Sequence, residues 1–284
     1  MGFVTLNEVL PNALTNHYAV GHFNFNGILW GQAYLETAQE EASPLVIATS
    51  DRVVDYLGGF QTLRITIENL VDQLGITVPI VLHLDHGQTV ERCIEAIDAG
   101  YSSVMYDGSH FPIDENVART KQVTDYAHAR GCSVEAEVGT VGGNEDGVIG
   151  GIQYAKLEDC LRLVKEANVD ALAAALGSVH GRYVGEPQLG FKEMKEISEA
   201  TKTPLVLHGA SGIPTEQVQR AIQLGHAKVN VNTEFNIAWV KGLKETIEAD
   251  AMLYEPKLVQ EHAKALIKEV ARGKIREFGS NQQA

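Results

Sequence analysis

The sequence predicts an α/β fold, a closed (β/α)8 or TIM barrel, on three observations. Eight short apolar runs read as strands buried on both faces, stretches with helical spacing separate them, and the last two runs end in small, polar, glycine-bearing loops. The runs are Tyr18 to Phe25, Pro44 to Ser50, Pro79 to Leu84, Ser103 to Asp107, Ser133 to Val138, Ala171 to Gly177, Pro204 to His208 and Lys228 to Thr233. Few of them alternate polar with apolar residues, as a half-exposed antiparallel strand would. Helical spacing is clearest in Val90 to Ala99, Glu115 to Ala129, Leu157 to Ala167 and Thr215 to Leu224, the last two opening with polar first-turn residues. A doubly wound sheet is the competing architecture, but it would not carry a phosphate-type ending after its last two strands.

A barrel of this kind typically takes about 250 residues. The 284 residues present therefore suggest one domain, 1 to 284, with a C-terminal helical extension over about 254 to 278. At 44% hydrophobic and 21% charged, the composition is that of a globular chain with a sizeable core. No apolar run is long enough to span a membrane, and the N-terminal residues show neither a basic-then-apolar signal nor a myristoylation motif, so a cytoplasmic location is expected. Cys93, Cys132 and Cys160 are an odd number without a CxxC pair, which favours buried reduced thiols over disulfides or ligands. A net charge of −14 with no basic run argues against nucleic acid. An anionic substrate would then need local positive potential, from a metal ion and from amides at helix N-termini.

Barrel enzymes work at the C-terminal ends of their strands. His86, His180 and His208 all fall at or just after such ends. A lone histidine is usually structural, whereas three at equivalent positions suggest one metal site. Neutral imidazoles favour zinc, and three protein ligands leave a position open for substrate; iron or cobalt would also accept these ligands.

Carboxylates cluster at the same end. Asp85 lies next to His86, so on a regular strand its side chain would point to the opposite face unless the chain has begun to turn. It could be a general acid/base, a partner to a histidine, or a loop cap. Asp107 and Glu137 end strands four and five, and Glu135 shares the face of Glu137. Carboxylates buried in a barrel are costly unless paired or bound to cations. Residues 139 to 151 look too glycine-rich for helix or strand, so a loop that folds over the site is expected, with Glu145 or Asp146 as a mobile base. Gly209-Ala210-Ser211-Gly212 and Asn230-Val231-Asn232-Thr233 stand where barrels commonly hold phosphate.

Taken together, HLDH at 83 to 86, YDGSH at 106 to 110, EAEVGTVGGNEDG at 135 to 147, GSVHG at 177 to 181, HGASGIP at 208 to 214 and NVNTE at 230 to 234 resemble the class II metal-dependent aldolases that form or cleave dihydroxyacetone phosphate adducts. The resemblance spans essentially the whole chain. It implies zinc on His86, His180 and His208, Asp85 as proton donor and Glu145 as the loop base. It also implies a second metal position at Asp107 and Glu137, and triose and phosphate contacts from Gly181, Gly209, Ala210, Ser211, Asn230, Val231, Asn232 and Thr233. A second divalent ion there and a monovalent cation, Na+ or K+, near the phosphate would be in keeping with the family, as would a homodimer or homotetramer.

Within that family the distal half of the substrate sets specificity. Thr49-Ser50-Asp51-Arg52 and the Val53 to Phe60 stretch after it resemble the inositol-catabolic 6-phospho-5-dehydro-2-deoxy-D-gluconate aldolases more than the glycolytic ones, and HGASGIP leans the same way. Arg52 at the barrel mouth, beside Ser50, could bind a carboxylate bidentately; pairing with Asp51 or Asp55 on the surface is the plainer alternative. The expected substrate is thus a phosphorylated keto-sugar acid, with the keto-sugar fructose 1,6-bisphosphate (or tagatose 1,6-bisphosphate) as runner-up. Lys257 stands where relatives often have arginine. A sugar-phosphate binding protein that has lost catalysis is the rival from another class, and the retained acid, base and open metal set speak against it.

Overall fold

The computed structural model describes all of the chain except residues 1, 146, 147, 152, 182, 184 and 186 and the side chains of residues 144 to 150. Its strands are β1 (Val20–Asn24), β2 (Leu45–Ser50), β3 (Ile80–Gly87), β4 (Ser103–Tyr106), β5 (Ser133–Val138), β6 (Gly142–Glu145), β7 (Val148–Gly150), β8 (Ala171–Ala174), β9 (Val179–His180), β10 (Leu205–Leu207) and β11 (His226–Val231). Eight of them close into a barrel in the order β1-β11-β10-β8-β5-β4-β3-β2, with every neighbouring pair parallel. The helices are α1 (Leu6–Asn16), α2 (Ile28–Glu40), α3 (Asp51–Val54), α4 (Phe60–Gln73), α5 (Val90–Ala99), α6 (Ile113–His128), α7 (Leu157–Ala167), α8 (Phe191–Thr201), α9 (Thr215–Gln223), α10 (Thr233–Ala249) and α11 (Pro256–Glu277). The extension expected at the C-terminus is α11, which packs on α10 and α2.

Burial on both faces explains the unbroken apolar look of the strands. One face of β2 and β3, Leu45, Ile47, Ile80, Leu82 and Leu84, joins the core between barrel and helices. The other face, Val46 and Val81 with Val20, Ala171, Ala173 and Val206, meets Leu6, Val9, Leu10 and Ala13 of α1, which plugs the N-terminal end of the barrel. Moving up the same inward positions by twos, the residues turn polar: Val20 gives way to His22 and Asn24, and Val81 to His83 and Asp85. The barrel is thus apolar at its base and chemically equipped at its C-terminal end. The three cysteines are buried and free, as expected.

One expectation is overturned. Residues 139 to 151 are not without regular structure: β6 and β7 pair antiparallel, and β6 pairs in parallel with β9, placing Gly143 opposite His180. Glycine makes this possible rather than preventing it, because Gly143 has φ +98° and a Cβ there would collide with the backbone of His180.

Candidate active site

The end of β3 settles how two adjacent residues can serve one site. Leu84 pairs with Val104 and Gly87 with Tyr106, so β3 carries one residue more than β4 between those points, a bulge. His86 takes up the irregularity with φ +50°, a left-handed conformation that costs a non-glycine residue about 1 kcal/mol. In return, Asp85 and His86 are both buried in the same region, with Asp85 Oδ1 4.0 Å from His86 Nε2.

Three imidazoles converge there. His86 and His208 have ring centroids 4.8 Å apart, His86 and His180 5.3 Å, and His180 and His208 5.9 Å, all nearly perpendicular. His180 reaches the group not from a barrel strand, since β8 stops at Ala174, but from β9, held by β6. Tyr183 ties that segment to the next loop: its hydroxyl donates to the Gly209 carbonyl at 2.9 Å and accepts the Val179 N–H at 3.0 Å.

The far nitrogens fix the proton positions. His86 Nδ1 lies 2.8 Å from Asp107 Oδ2 and His208 Nε2 lies 2.9 Å from Glu135 Oε1. Burial alone would raise both acids, but the Lys228 ammonium and the His208 hydrogen bond outweigh it at Glu135, and hydrogen bonds from His86 and Ser109 do so at Asp107, holding each well below the usual carboxylate range. Ionised carboxylates only accept, so both far nitrogens donate, and in neutral rings the near ones, His86 Nε2 and His208 Nδ1, 3.2 Å apart, turn lone pairs toward each other. Facing lone pairs repel unless a cation lies between them. Zinc–nitrogen bonds of 2.0–2.1 Å in a tetrahedron put ligand nitrogens about 3.3 Å apart. The donor set therefore fits a metal ion. His86, Asp107 and Glu137 form a second group with metal-binding potential that shares His86; Glu137 Oε1 also accepts the Val141 N–H at 3.2 Å.

Below Asp85 lies a polar column that sequence reasoning did not pick out. Asn24 Nδ2 donates to Asp85 Oδ2 at 2.9 Å, and His22 Nε2 lies 3.5 Å from the same oxygen. Burial, reinforced by the Lys228 ammonium, pushes His22 down to about 4. At Asp85 burial is outweighed by the facing His22 and His86 groups, and the carboxyl is held well below the usual carboxylate range. Alternation at the end of β1, His22 then Asn24, was the available signal, and Lys228 in an apolar strand was another.

Next to the histidines is a cavity of about 80 Å³ lined by His180, Gly181, Gly209, Ser211, Asn230, Val231, Asn232 and Thr233, together with Asn24 and Asn236, which the motifs had not indicated. It opens at the N-terminus of α10, where backbone N–H groups and the helix dipole favour an anion. Ala210 is buried beside it rather than lining it. Ser50 is also buried and pairs in register with Asp85, whereas Arg52 is exposed on α3. Asp51 and Asp55, the alternative partners for Arg52, are held by Arg92 at 2.7 and 3.3 Å. The side chain of Glu145 and the whole of Asp146 lie outside the described residues.

This geometry agrees with comparison to known proteins. The model of the class II fructose-bisphosphate aldolase family matches residues 4–283. The chain belongs to that family. Curated relatives named 6-phospho-5-dehydro-2-deoxy-D-gluconate aldolase from Bacillus licheniformis and Bacillus subtilis are each 57% identical over 284 residues, covering all of this chain and 97% and 98% of theirs. A fructose-bisphosphate aldolase from Geobacillus stearothermophilus is 51% identical over 285 residues, covering 100% of this chain and 99% of its own. Among solved structures, the YdjI aldolase of Escherichia coli K12 superposes with a TM-score of 0.87 at 31% identity over 99% of both chains. The chain is thus a class II aldolase, a carbon–carbon lyase. Among the described residues no helix is long and apolar enough to cross a membrane.

Proposed function

We propose that this class II aldolase is zinc-dependent and cleaves 6-phospho-5-dehydro-2-deoxy-D-gluconate to dihydroxyacetone phosphate and malonate semialdehyde. The observation that carries the reading is the convergence of His86 Nε2 and His208 Nδ1, 3.2 Å apart, with His180, beside a buried Asp85 and an anion-sized cavity. His86, His180 and His208 would hold the zinc ion, which would supply a Lewis acid for the ketone of the triose half.

The remaining work falls to the chain. The α10 N-terminus, Gly209, Ser211 and Thr233 bind and orient the phosphate, with Gly181 and the Asn230 to Asn232 segment around it. In cleavage Asp85, ionised and aimed by Asn24, accepts the proton of the β-hydroxyl as the carbon–carbon bond breaks. Glu145, on the strand adjoining that of His180, then returns a proton to the triose carbon; in condensation the two exchange roles. Lys228 plays no part as a Schiff-base nucleophile, because its ammonium is engaged by Glu135 at 2.9 Å. Asp107 orients His86 and with Glu137 offers a place for a second divalent ion.

The distal carboxylate is assigned to Arg52, exposed on α3 after Ser50, whose planar fork suits it. The relatives at 57% identity support this substrate, and the fructose-bisphosphate aldolase at 51% keeps fructose 1,6-bisphosphate as the second reading. Condensation of dihydroxyacetone phosphate with malonate semialdehyde, run against glyceraldehyde 3-phosphate, tests it. A preference for malonate semialdehyde that Arg52→Ala abolishes is expected; a preference for glyceraldehyde 3-phosphate assigns the bisphosphate substrate instead.

A further inference from the structure

Inside the barrel, beneath the histidine cluster, Glu135 of β5 and Lys228 of β11 are both fully buried, at 0% exposure. Taking either charge out of water alone would be prohibitive, so the pair needs a reason to be there. Their contacts form a connected ring. Glu135 Oε2 lies 2.9 Å from Lys228 Nζ, Glu135 Oε1 lies 2.9 Å from His208 Nε2, and Lys228 Nζ donates to Asn230 Oδ1 at 2.9 Å. Asn230 Nδ2 is in turn 3.3 Å from His208 Nδ1.

The direction of every hydrogen bond in this ring follows from Lys228. An ammonium has only donors, so Asn230 must offer its oxygen and turn its amide nitrogen toward His208, and Glu135 faces Lys228 as the acceptor of an ion pair. An anionic carboxylate can only accept, so the proton of neutral His208 sits on Nε2. We propose that Glu135 and Lys228 are a positioning pair whose task is to lock His208 in the Nε2–H tautomer and present Nδ1 to the metal. The inference rests on the metal-site reading above. It accounts for a buried ion pair that the phosphate, proton-transfer and distal-group contacts leave unused. His83 lies to the side, with Nε2 3.9 Å from Glu135 Oε2, beyond hydrogen-bond distance, and Nδ1 2.8 Å from Ser103 Oγ. Partners that hold the second nitrogen of a metal-bound histidine typically contribute about 10–100-fold in metal affinity.

Replacing the pair by apolar residues of similar size separates positioning from mere structural support, since such a swap removes both charges and usually leaves folding intact. Zinc affinity is measured by chelator competition for the unmodified protein and for Glu135→Leu/Lys228→Met, with thermal unfolding as the check on folding. The expected result is a folded double variant that binds zinc about 10–100-fold more weakly. Equal affinity in the two proteins overturns the positioning role. Failure of the unmodified protein itself to take up zinc strikes instead at the metal-site reading. Nitrogen NMR of metal-free protein carrying labelled histidine gives a second readout that does not depend on the double variant, with His208 identified by loss of its signals in folded His208→Asn. An unprotonated Nδ1 is expected for His208, and a protonated Nδ1 overturns the proposal.

Discussion

Gly209 provides the sharpest quantitative handle on the phosphate cradle. Its φ of +64° lies in the left-handed region, and a Cβ built on it would come within 2.6 Å of the Val179 carbonyl carbon, inside the 3.0 Å that real Cβ contacts essentially never breach. Gly209→Ala therefore adds about 1–2 kcal/mol of backbone strain and also forces the 208–211 loop or the β9 segment to give by several tenths of an ångström. Because Gly209 and Ser211 line the cavity, that shift misplaces the anion-binding groups while leaving the barrel strands intact. A loss of roughly 1.4–2.8 kcal/mol of binding corresponds to a 10–100-fold rise in KM for dihydroxyacetone phosphate. Condensation rates at varied dihydroxyacetone phosphate give KM and kcat, and zinc content shows whether His208 next door has been disturbed. Gly273→Ala is the control, because nothing lies within 4 Å of a Cβ there and its place inside α11 favours alanine by about 1 kcal/mol. An unchanged KM in folded Gly209→Ala would refute the placement of the phosphate.

Other consequences follow from the buried acids and bases. Asp85→Asn keeps the hydrogen-bonded shape but cannot accept the hydroxyl proton, so kcat should fall by about 10²–10⁴ with zinc affinity close to that of the unmodified protein; a matching loss of zinc would make Asp85 a structural support of the metal site. His226 is pushed down to about 4 by burial, far from the site chemistry. Between about pH 4 and 6.5 the unfolded chain binds the proton that the folded one refuses, so its contribution is complete above pH 6.5 and is lost as pH falls toward 4. His226→Leu should flatten urea-denaturation stability against pH across that window by up to about 1.4 kcal/mol per pH unit, and an unchanged slope would contradict the assignment.

Much of this was legible in the sequence because barrel strands, buried on both faces, advertise themselves as apolar runs. The three histidines and the two glycine-bearing loops were legible for a related reason: chemistry at a strand end interrupts an apolar pattern. What periodicity could not supply was the bulge at His86. Strict alternation sets Asp85 and His86 on opposite faces, and only a residue in left-handed conformation brings both inward. The pairing of β6 with β7 is hidden in the sequence because glycine has poor strand propensity, yet close approach to His180 outweighs that propensity here. Lys228 went unnoticed for the opposite reason. A single cation within an apolar strand resembles an exposed edge position until Glu135 is found across the barrel.

Anomalous diffraction at the zinc absorption edge, from crystals of the enzyme carrying its metal, tests the central claim most directly. A single strong peak within about 2.0–2.1 Å of His86 Nε2, His208 Nδ1 and a nitrogen of His180 is the predicted result. A peak held by other side chains, with these three imidazoles bonded only to one another or to water, would contradict it.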